Sequence, residues 1–253
     1  MEKMKTFIIN LPNSIDRKAF MQEQCHSLGL NFEFFNAVAG KDFTREEVIK
    51  HSRKLTEVRT PGELGCALSH IELYRKIVTD NIPVALILED DVVLNEDISS
   101  VLSSIEKNIT GREIILLNRA KQYLNREIYR FEKNAVYPVA EADLTCSYVI
   151  TQDAAEALLT FLYPVWLVAD RWSLIRQYGV AKVNCLIPEA SFLNELAETS
   201  TISHRNQEDI VRDNEIAWQE IKARRPINVK IKDILWRFFY RHYYKVIKND
   251  KVK

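Results

Sequence analysis

Short apolar runs alternate with stretches of helical spacing along most of the chain. Uninterrupted or nearly uninterrupted runs occur at Thr6–Leu11, Val84–Leu88, Glu113–Leu117 and Val180–Ile187. The run at Val84–Leu88 is β-branched at Val84 and Ile87, follows Pro83 and contains no polar residue. That pattern predicts a strand buried on both faces of a largely parallel sheet. Between the runs, Ile15, Phe20, Cys25 and Leu28 stand among charges after Pro12-Asn13-Ser14. They predict an amphipathic helix capped by Asn13 or Ser14 and stopped at Gly29. Aromatic-rich Leu30–Val38 reads as the next strand, so the opening is a βαβ unit.

Two capping boxes start further helices, Thr44 with Glu47 and Thr60 with Glu63, the second with Pro61 at the first helical position. From there Leu64, Leu68, Ile71, Tyr74, Ile77 and Val78 keep helical spacing as far as Asn81. Ile98–Lys107 reads as helix, and residues 118–139 as a hairpin or a substrate loop. Glu141–Thr151 reads as a strand entering a helix capped by Thr151. The predicted class is α/β, with a mixed, mostly parallel sheet flanked by helices.

Directly behind Val84–Leu88 stand Glu89, Asp90 and Asp91. Open α/β sheets bind ligands beyond the carboxyl ends of such strands. Three adjacent anions repel one another unless positive charge sits among them. A hard divalent cation, Mn²⁺ or Mg²⁺, would supply it, because carboxylate oxygens are its preferred ligands and its open positions take phosphate oxygens. A solvated acidic loop that merely ends the strand is the plainer reading. Leu11–Ser14 lies at the matching end of the first strand. Arg17, one turn into the next helix, either reaches an anion in that crevice or is an ordinary exposed arginine. His70, beside the apolar stripe of its helix, reads as a structural histidine. Asp170 stands among Trp166, Trp172 and other large apolar residues. Such a mixture suits a sugar, which stacks its C–H faces and donates its hydroxyls, and equally suits core tryptophans.

Composition adds exclusions. With six glycines among 253 residues, no GxGxxG or GxxxxGK[ST] cradle exists. The four cysteines are widely spaced and read as buried thiols of a reducing compartment. The apolar stretch near Met1 is too short for a signal peptide, and no window approaches the ~18 apolar residues of a membrane span. The expectation is a cytoplasmic protein. Lys+Arg equals Asp+Glu at 35 each, but the charge is uneven, since residues 222–253 hold eleven Lys and Arg against two Asp. Within this tail Ile231, Ile234, Leu235, Phe238, Phe239, Tyr243 and Val246 keep helical spacing. A basic helix with a bulky apolar face suits an anionic membrane surface, where each cation contributes about 1 kcal/mol. Such a face has no use on a phosphate backbone, so a nucleic-acid partner is not expected. A helix packed back on the body is the remaining alternative.

Three blocks together carry a resemblance: Phe7-Ile-Ile-Asn-Leu-Pro-Asn-Ser-Ile-Asp-Arg17, Thr60-Pro-Gly-Glu-Leu-Gly-Cys-Ala-Leu-Ser-His70 and Leu86-Ile-Leu-Glu-Asp-Asp-Val92. Phe34–Gly40 and Cys146–Thr151 form two weaker ones. The chain from about Lys5 to about Ser203 resembles glycosyltransferase family 25, the lipooligosaccharide biosynthesis glycosyltransferases. It departs from the family pattern at Ser147, where glycine is frequent, and at Lys18, where a second arginine is.

The resemblance implies a GT-A-type, Rossmann-like catalytic domain, expected over residues 1–205; outside it, residues 206–253 are expected to form a helical basic extension. It also implies a UDP-hexose donor, a divalent metal and inversion at the anomeric carbon. On the matching blocks, donor contacts fall on Leu11, Asn13, Arg17, Ala37, Gly62, Ser69, Glu89 and Asp90. Asp91 and Glu89 are the expected metal ligands, with His204 completing the shell from a closing loop. An acceptor hydroxyl must lose its proton to a carboxylate; Asp170 is the first choice, with Glu189 and Asp143 in reserve. The expected partners are a nucleotide sugar, a lipooligosaccharide acceptor and, through the basic tail, the anionic inner-membrane surface. A receiver-like phosphoacceptor domain and an inactive membrane-associated scaffold are the competing classes.

Overall fold

The computed structural model describes residues 3–194 and 208–249. Strands β1 (Lys5–Asn10), β2 (Asn31–Asn36) and β3 (Val84–Glu89) form one parallel group, with β1 central. Strand β5 (Glu113–Leu116) and the later β10 (Lys182–Ile187) form another. Between the groups runs β9 (Ser147–Thr151), antiparallel to both β3 and β5. Five of these six central strands therefore point the same way, and their carboxyl ends share one edge.

Helices cover both faces. On one lie α3 (Pro61–Thr79), α5 (Gln152–Leu162) and α6 (Trp172–Tyr178); on the other lie α1 (Ile15–Ser27) and α4 (Ile98–Asn108). The period-2 alternation of the strands divides the core accordingly. Phe7, Ile9, Ala85, Ile87, Tyr148 and Ile150 pack under the first layer. Ile8, Leu86, Leu88 and Val149 pack under the second with Met21 and Cys25 of α1. This double burial explains why β3 is apolar at every position from Val84 to Leu88.

Both predicted capping boxes form, at Thr44 of α2 (Arg45–His51) and at Thr60 of α3. Thr151 caps α5 by accepting from the Ala154 N–H. The cap expected for α1 differs, because Ser14 occupies the position without a side-chain bond. A turn from the Ser14 N–H to the Leu11 carbonyl and the Asn10 amide bonded to the Ser14 carbonyl fix the chain there instead. All four cysteines are free thiols.

One further expectation is corrected, and another, a hairpin within residues 118–139, is met. The stretch Glu141–Thr151 is not one strand, since β8 (Asn134–Glu141) ends at Glu141 and β9 begins at Ser147. The turn between them places Leu144 at φ +70°, a conformation the sequence does not advertise. Residues 118–139 build β6 (Gln122–Leu124), β7 (Tyr129–Phe131) and most of β8, which continue the sheet antiparallel beyond β10. A short ribbon joins β4 (Val92–Leu94) to β11 (Ser191–Leu193).

The tail is not one helix. It contains α7 (Glu208–Ala223), α8 (Ile227–Leu235), a π turn at Trp236–Tyr240, the short α9 (Arg241–Tyr243) and β12 (Val246–Lys248). Strand β12 returns to pair with β6 at the sheet edge. Ala217, Ile221 and Val229 are buried against the body, whereas Ile227, Ile231, Ile234, Phe238 and Tyr243 are exposed. Packing back and an exposed apolar face thus coexist.

Candidate active site

The acidic residues at the end of β3 differ in their environments. Asp90, 9% exposed, is fully occupied: Asn10 Nδ2 donates to Oδ2 at 2.7 Å and Arg17 Nη1 to Oδ1 at 2.8 Å. It locks the end of β1 and the first turn of α1 to the end of β3. Arg17 also reaches Asp91 Oδ2 at 3.2 Å. The other oxygen of Asp91, Oδ1, is buried without a hydrogen-bond partner. Burial, and then the charge of Glu89, push the Asp91 carboxyl up to about 6 even though Arg17 pulls it down.

Glu89 behaves oppositely. Burial opposes its ionisation, but hydrogen bonds and charge from His70, the Thr145 hydroxyl and Arg17 together hold its carboxyl below the usual range. Its Oε1 lies 3.3 Å from His70 Nε2 and accepts from Thr145 Oγ1. His70 Nδ1 lies 2.8 Å from the Tyr148 hydroxyl, which lies 2.8 Å from that of Tyr74. Burial raises both phenols, so they stay protonated. His70 is therefore a satisfied histidine, as its position suggests, and it also faces the site. One ligand atom each from Cys66, His70 and Glu89 lie within 4.8 Å of one another, a further set able to hold a metal.

These groups open into a cavity of about 240 Å³ lined by Leu11, Arg17, Ala37, Lys41, Gly62, Ser69 and all three acidic residues. Its far wall is the loop after β2, held against α3 at backbone contact. A Cβ on Gly40 would lie 1.7 Å from the Pro61 carbonyl oxygen, and one on Gly65 would lie 2.6 Å from the Val38 carbonyl oxygen and the Gly40 nitrogen. Ser69 Oγ completes the joint by accepting from the Val38 N–H and donating to the Gly65 carbonyl. The N-terminus of the 19-residue α3 thus borders the cavity, with its dipole favouring an anion there.

A second, polar cavity of about 350 Å³ adjoins through Glu63, the neighbour of Gly62. Asp143, Asp170 and Arg171 also line it. The turn between β8 and β9 links the two cavities: Thr145 donates to Glu89, and the Leu144 N–H points to Asp170 Oδ2 at 3.4 Å. Buried Glu57 anchors the wall, taking both Arg171 Nε, at 2.8 and 2.9 Å, and the Val168 N–H. Burial raises the Glu57 carboxyl despite Arg171.

Of the residues expected from sequence, Leu11, Arg17, Ala37, Gly62, Ser69, Glu89, Asp90 and Asp91 share the first cavity, and Asp143 and Asp170 share the second. Asn13 is exposed and lines neither. Glu189 follows β10, lines neither cavity and offers its backbone carbonyl to Asn95. His204 lies outside the described residues; the chain before it leaves at Asn194, whose N–H donates to the Asp91 carbonyl. Sequence reasoning missed Asn10, Glu57, Thr145 and Arg171. Only Asn10, at the end of an apolar run, carried a local signal.

The structure is thus an α/β sheet covered by helices on both faces, with a carboxylate-rich crevice at the carboxyl ends of its parallel strands, where such sheets bind their ligands. The sequence family described as Glycosyltransferase family 25 (LPS biosynthesis protein) matches residues 3–172, and the chain belongs to that family. Its similar proteins include the lipooligosaccharide biosynthesis protein lex-1 of Haemophilus influenzae, 25% identical over 64% of this chain and 65% of that protein. Lipooligosaccharide biosynthesis protein lic2B of Haemophilus influenzae is 26% identical over 60% and 61%. Procollagen galactosyltransferase 1-B of Xenopus laevis is 27% identical over 48% and 22%. The chain spans less than two thirds of the length of these relatives. Among solved structures, a glycosyltransferase involved in glycosylating the major capsid of PBCV-1 aligns over 82% of this chain and 79% of that one. Its identity is 13% and its TM-score 0.35, too loose a likeness to bear on function.

Proposed function

We propose that the chain is an inverting glycosyltransferase that moves a hexose, galactose or glucose, from a UDP-sugar to a lipooligosaccharide acceptor. The observation that carries this reading is the cavity at the end of β3. It combines anion-binding features, Arg17, Lys41 and the N-terminus of α3, with Asp91, one of whose oxygens is buried without a partner, and with Glu89 beside it.

The same residues fit a divalent cation, because Asp91 Oδ1 is buried without a partner and the Asp91 carboxyl is raised. Asp91 and Glu89 would hold it. When bound, a divalent cation supplies Lewis-acid neutralisation of a departing diphosphate. Asp90, with both oxygens engaged, positions Arg17 rather than ligating. Arg17 and the α3 N-terminus bind the diphosphate and fix its orientation. Inversion by a single displacement needs the acceptor hydroxyl on the face of the sugar opposite the diphosphate. Asp170, in the adjoining cavity, takes the proton of that hydroxyl, with Asp143 beside it as alternative.

The tail carries the acceptor's other end. Exposed Ile227, Ile231, Ile234, Leu235, Phe238, Phe239 and Tyr243 stand among Lys and Arg on α8 and beyond. This is the arrangement that rests on anionic lipid. Among the described residues no helix is long and apolar enough to cross a membrane. The protein then works at the cytoplasmic surface of the inner membrane. The test is a screen of UDP-galactose, UDP-glucose and UDP-N-acetylhexosamines on truncated lipooligosaccharide, with and without chelator. Chelator-sensitive UDP release from a UDP-hexose is expected; no release from any donor overturns the reading and leaves an inactive scaffold.

A further inference from the structure

The cavity that holds Asp170 continues into a third, of about 410 Å³. The two share Glu141, Asp143, Asp170 and Arg171, and the third runs on to Trp218, Asp233 and Trp236. Both volumes fall in the range of ligand pockets, roughly 300–1,000 Å³. The far walls, with Asn214 and Trp218 from α7 and Asp233 from α8, lie outside the residues that match the family. The family blocks therefore do not specify what this wall recognises.

Two buried atoms on that wall await a donor. Asp233 is 5% exposed; its Oδ2 pairs with Arg237 at 2.8 Å and Arg225 at 3.6 Å, but its Oδ1 has no hydrogen-bond partner. Asn214 Oδ1 is likewise buried and unpartnered. Buried acceptors are nearly always satisfied, so each marks a place where a ligand donates. The aromatic rings are oriented by guanidinium groups, Arg171 lying 4.4 Å from the Trp218 centroid and Arg176 3.7 Å from that of Trp236. The charges around them are largely paired with one another: Lys121 with Asp143, Arg171 with Glu57 and Arg237 with Asp233. Paired charges give little pull on an ionic ligand. Aromatic walls plus free acceptors suit a neutral molecule with C–H faces and many hydroxyls.

We propose that the joined cavities bind an oligosaccharide acceptor longer than one sugar. Sugar near the glycosylated ring donates a hydroxyl to Asn214 Oδ1 in the cavity of Asp170, and a further ring donates one to Asp233 Oδ1 in the cavity of Trp218 and Trp236. This rests on the reading above that Asp170 faces the acceptor hydroxyl. The C-terminal helices then set which acceptor is accepted, while the family blocks set the donor.

The test is titration of the full chain, labelled at tryptophan indole nitrogen, with size-fractionated oligosaccharides released from lipooligosaccharide. UDP release is measured in parallel. Fractions of two or more sugars should shift the indole signals of Trp218 and Trp236 and leave that of buried Trp166, which donates to the Phe161 carbonyl, in place. Asn214→Ala should weaken binding about 5-fold, the scale of one neutral hydrogen bond, and Asp233→Asn, which trades a charged acceptor for a weaker neutral one, by a similar factor. Gln219→Ala, on the exposed side of α7, should bind as the parent does. Absence of shifts at Trp218 and Trp236, or parent-like binding by both Asn214→Ala and Asp233→Asn, overturns the proposal. A chain that binds the fractions yet releases no UDP keeps this site and loses the transferase reading. One that releases UDP with the same KM for one sugar as for three loses this site alone.

Discussion

At the end of β3, polar groups from four elements close on one another: Asn10 and Arg17 on Asp90, and His70 and Thr145 on Glu89. Beneath the C-terminal helices the pattern is looser, with paired surface charges, half-buried tryptophans and two acceptor atoms left open. The first region is a cooperative network in which one lost charge alters the balance of the rest. The second is a set of nearly independent contacts. The contrast predicts all-or-none responses to substitution at the first and graded ones at the second.

The sharpest break of that contrast is Asp91→Asn. It keeps the shape and removes the charge that, on the proposed reading, would hold a cation against the departing diphosphate, so UDP release should fall about 10²- to 10³-fold, the scale of losing one charge-stabilising group at a reacting centre. Mn²⁺ or Mg²⁺ should raise the melting temperature of the parent and not of the variant. Turnover within a few-fold of the parent would mean that the acidic end of β3 is structural only.

Gly65→Ala comes next. The added methyl group would stand 2.6 Å from two backbone atoms of the opposing loop, and backbone has no rotamer by which to escape. Overpacking of this kind costs about 1–3 kcal/mol, measurable by urea unfolding. The loop after β2 must also move, so UDP affinity should fall even where the protein remains folded. Unchanged affinity would separate this loop from donor binding.

These regions were not equally legible in the sequence. The first cavity was readable because most of its parts sit at the ends of regular elements: β3 delivers Glu89 to Asp91, the first turn of α1 carries Arg17, and a capping box fixes where α3 begins. Period and caps locate such positions from local spacing alone, although Asn10 at the end of β1 was overlooked. The second cavity is assembled from residues far apart in sequence. Glu57 meets Arg171 across 114 positions, and the turn carrying Asp143 and Thr145 depends on a left-handed Leu144, which no glycine or asparagine announces. The tail misled for a related reason. Its helical spacing is real, but β12 pairs with a strand some 120 residues earlier, and edge pairing leaves no periodic mark.

A third test uses pH. The folded Asp91 carboxyl, pushed up to about 6, stands above its ordinary 3.8. The stability it contributes is therefore fully present below about pH 4 and is lost as pH rises through 6. Glu89, held below its usual value, loses its own contribution only as pH falls below that value, outside this window. In chelator, the parent should lose about 1.4 kcal/mol between pH 5 and 7.5 from this group. Asp91→Asn should lose less by that amount, and saturating Mg²⁺ should flatten the parent's slope as well. Equal slopes for parent and variant would show that Asp91 is not held against its charge.

The smallest change to turnover is expected farthest from the donor. Phe238 and Tyr243 are 70% and 77% exposed and contact neither cavity, so Phe238→Ser with Tyr243→Ser should leave UDP release on a water-soluble acceptor as it was. Binding to phosphatidylglycerol vesicles is another matter, because burying one aromatic side chain in the interface contributes about 1.5–3 kcal/mol. The double variant should lose at least about 10-fold in vesicle partitioning, while the cations still give it salt-sensitive residual binding. That combination would place the lipid contact on the outer face of the same helices whose inner face carries Asp233 and Trp236. A loss of soluble turnover equal to the loss of vesicle binding would instead mean that the outer face supports the fold of the groove. The two surfaces of the tail would then act as one unit, and the graded behaviour argued for this half of the molecule would fail.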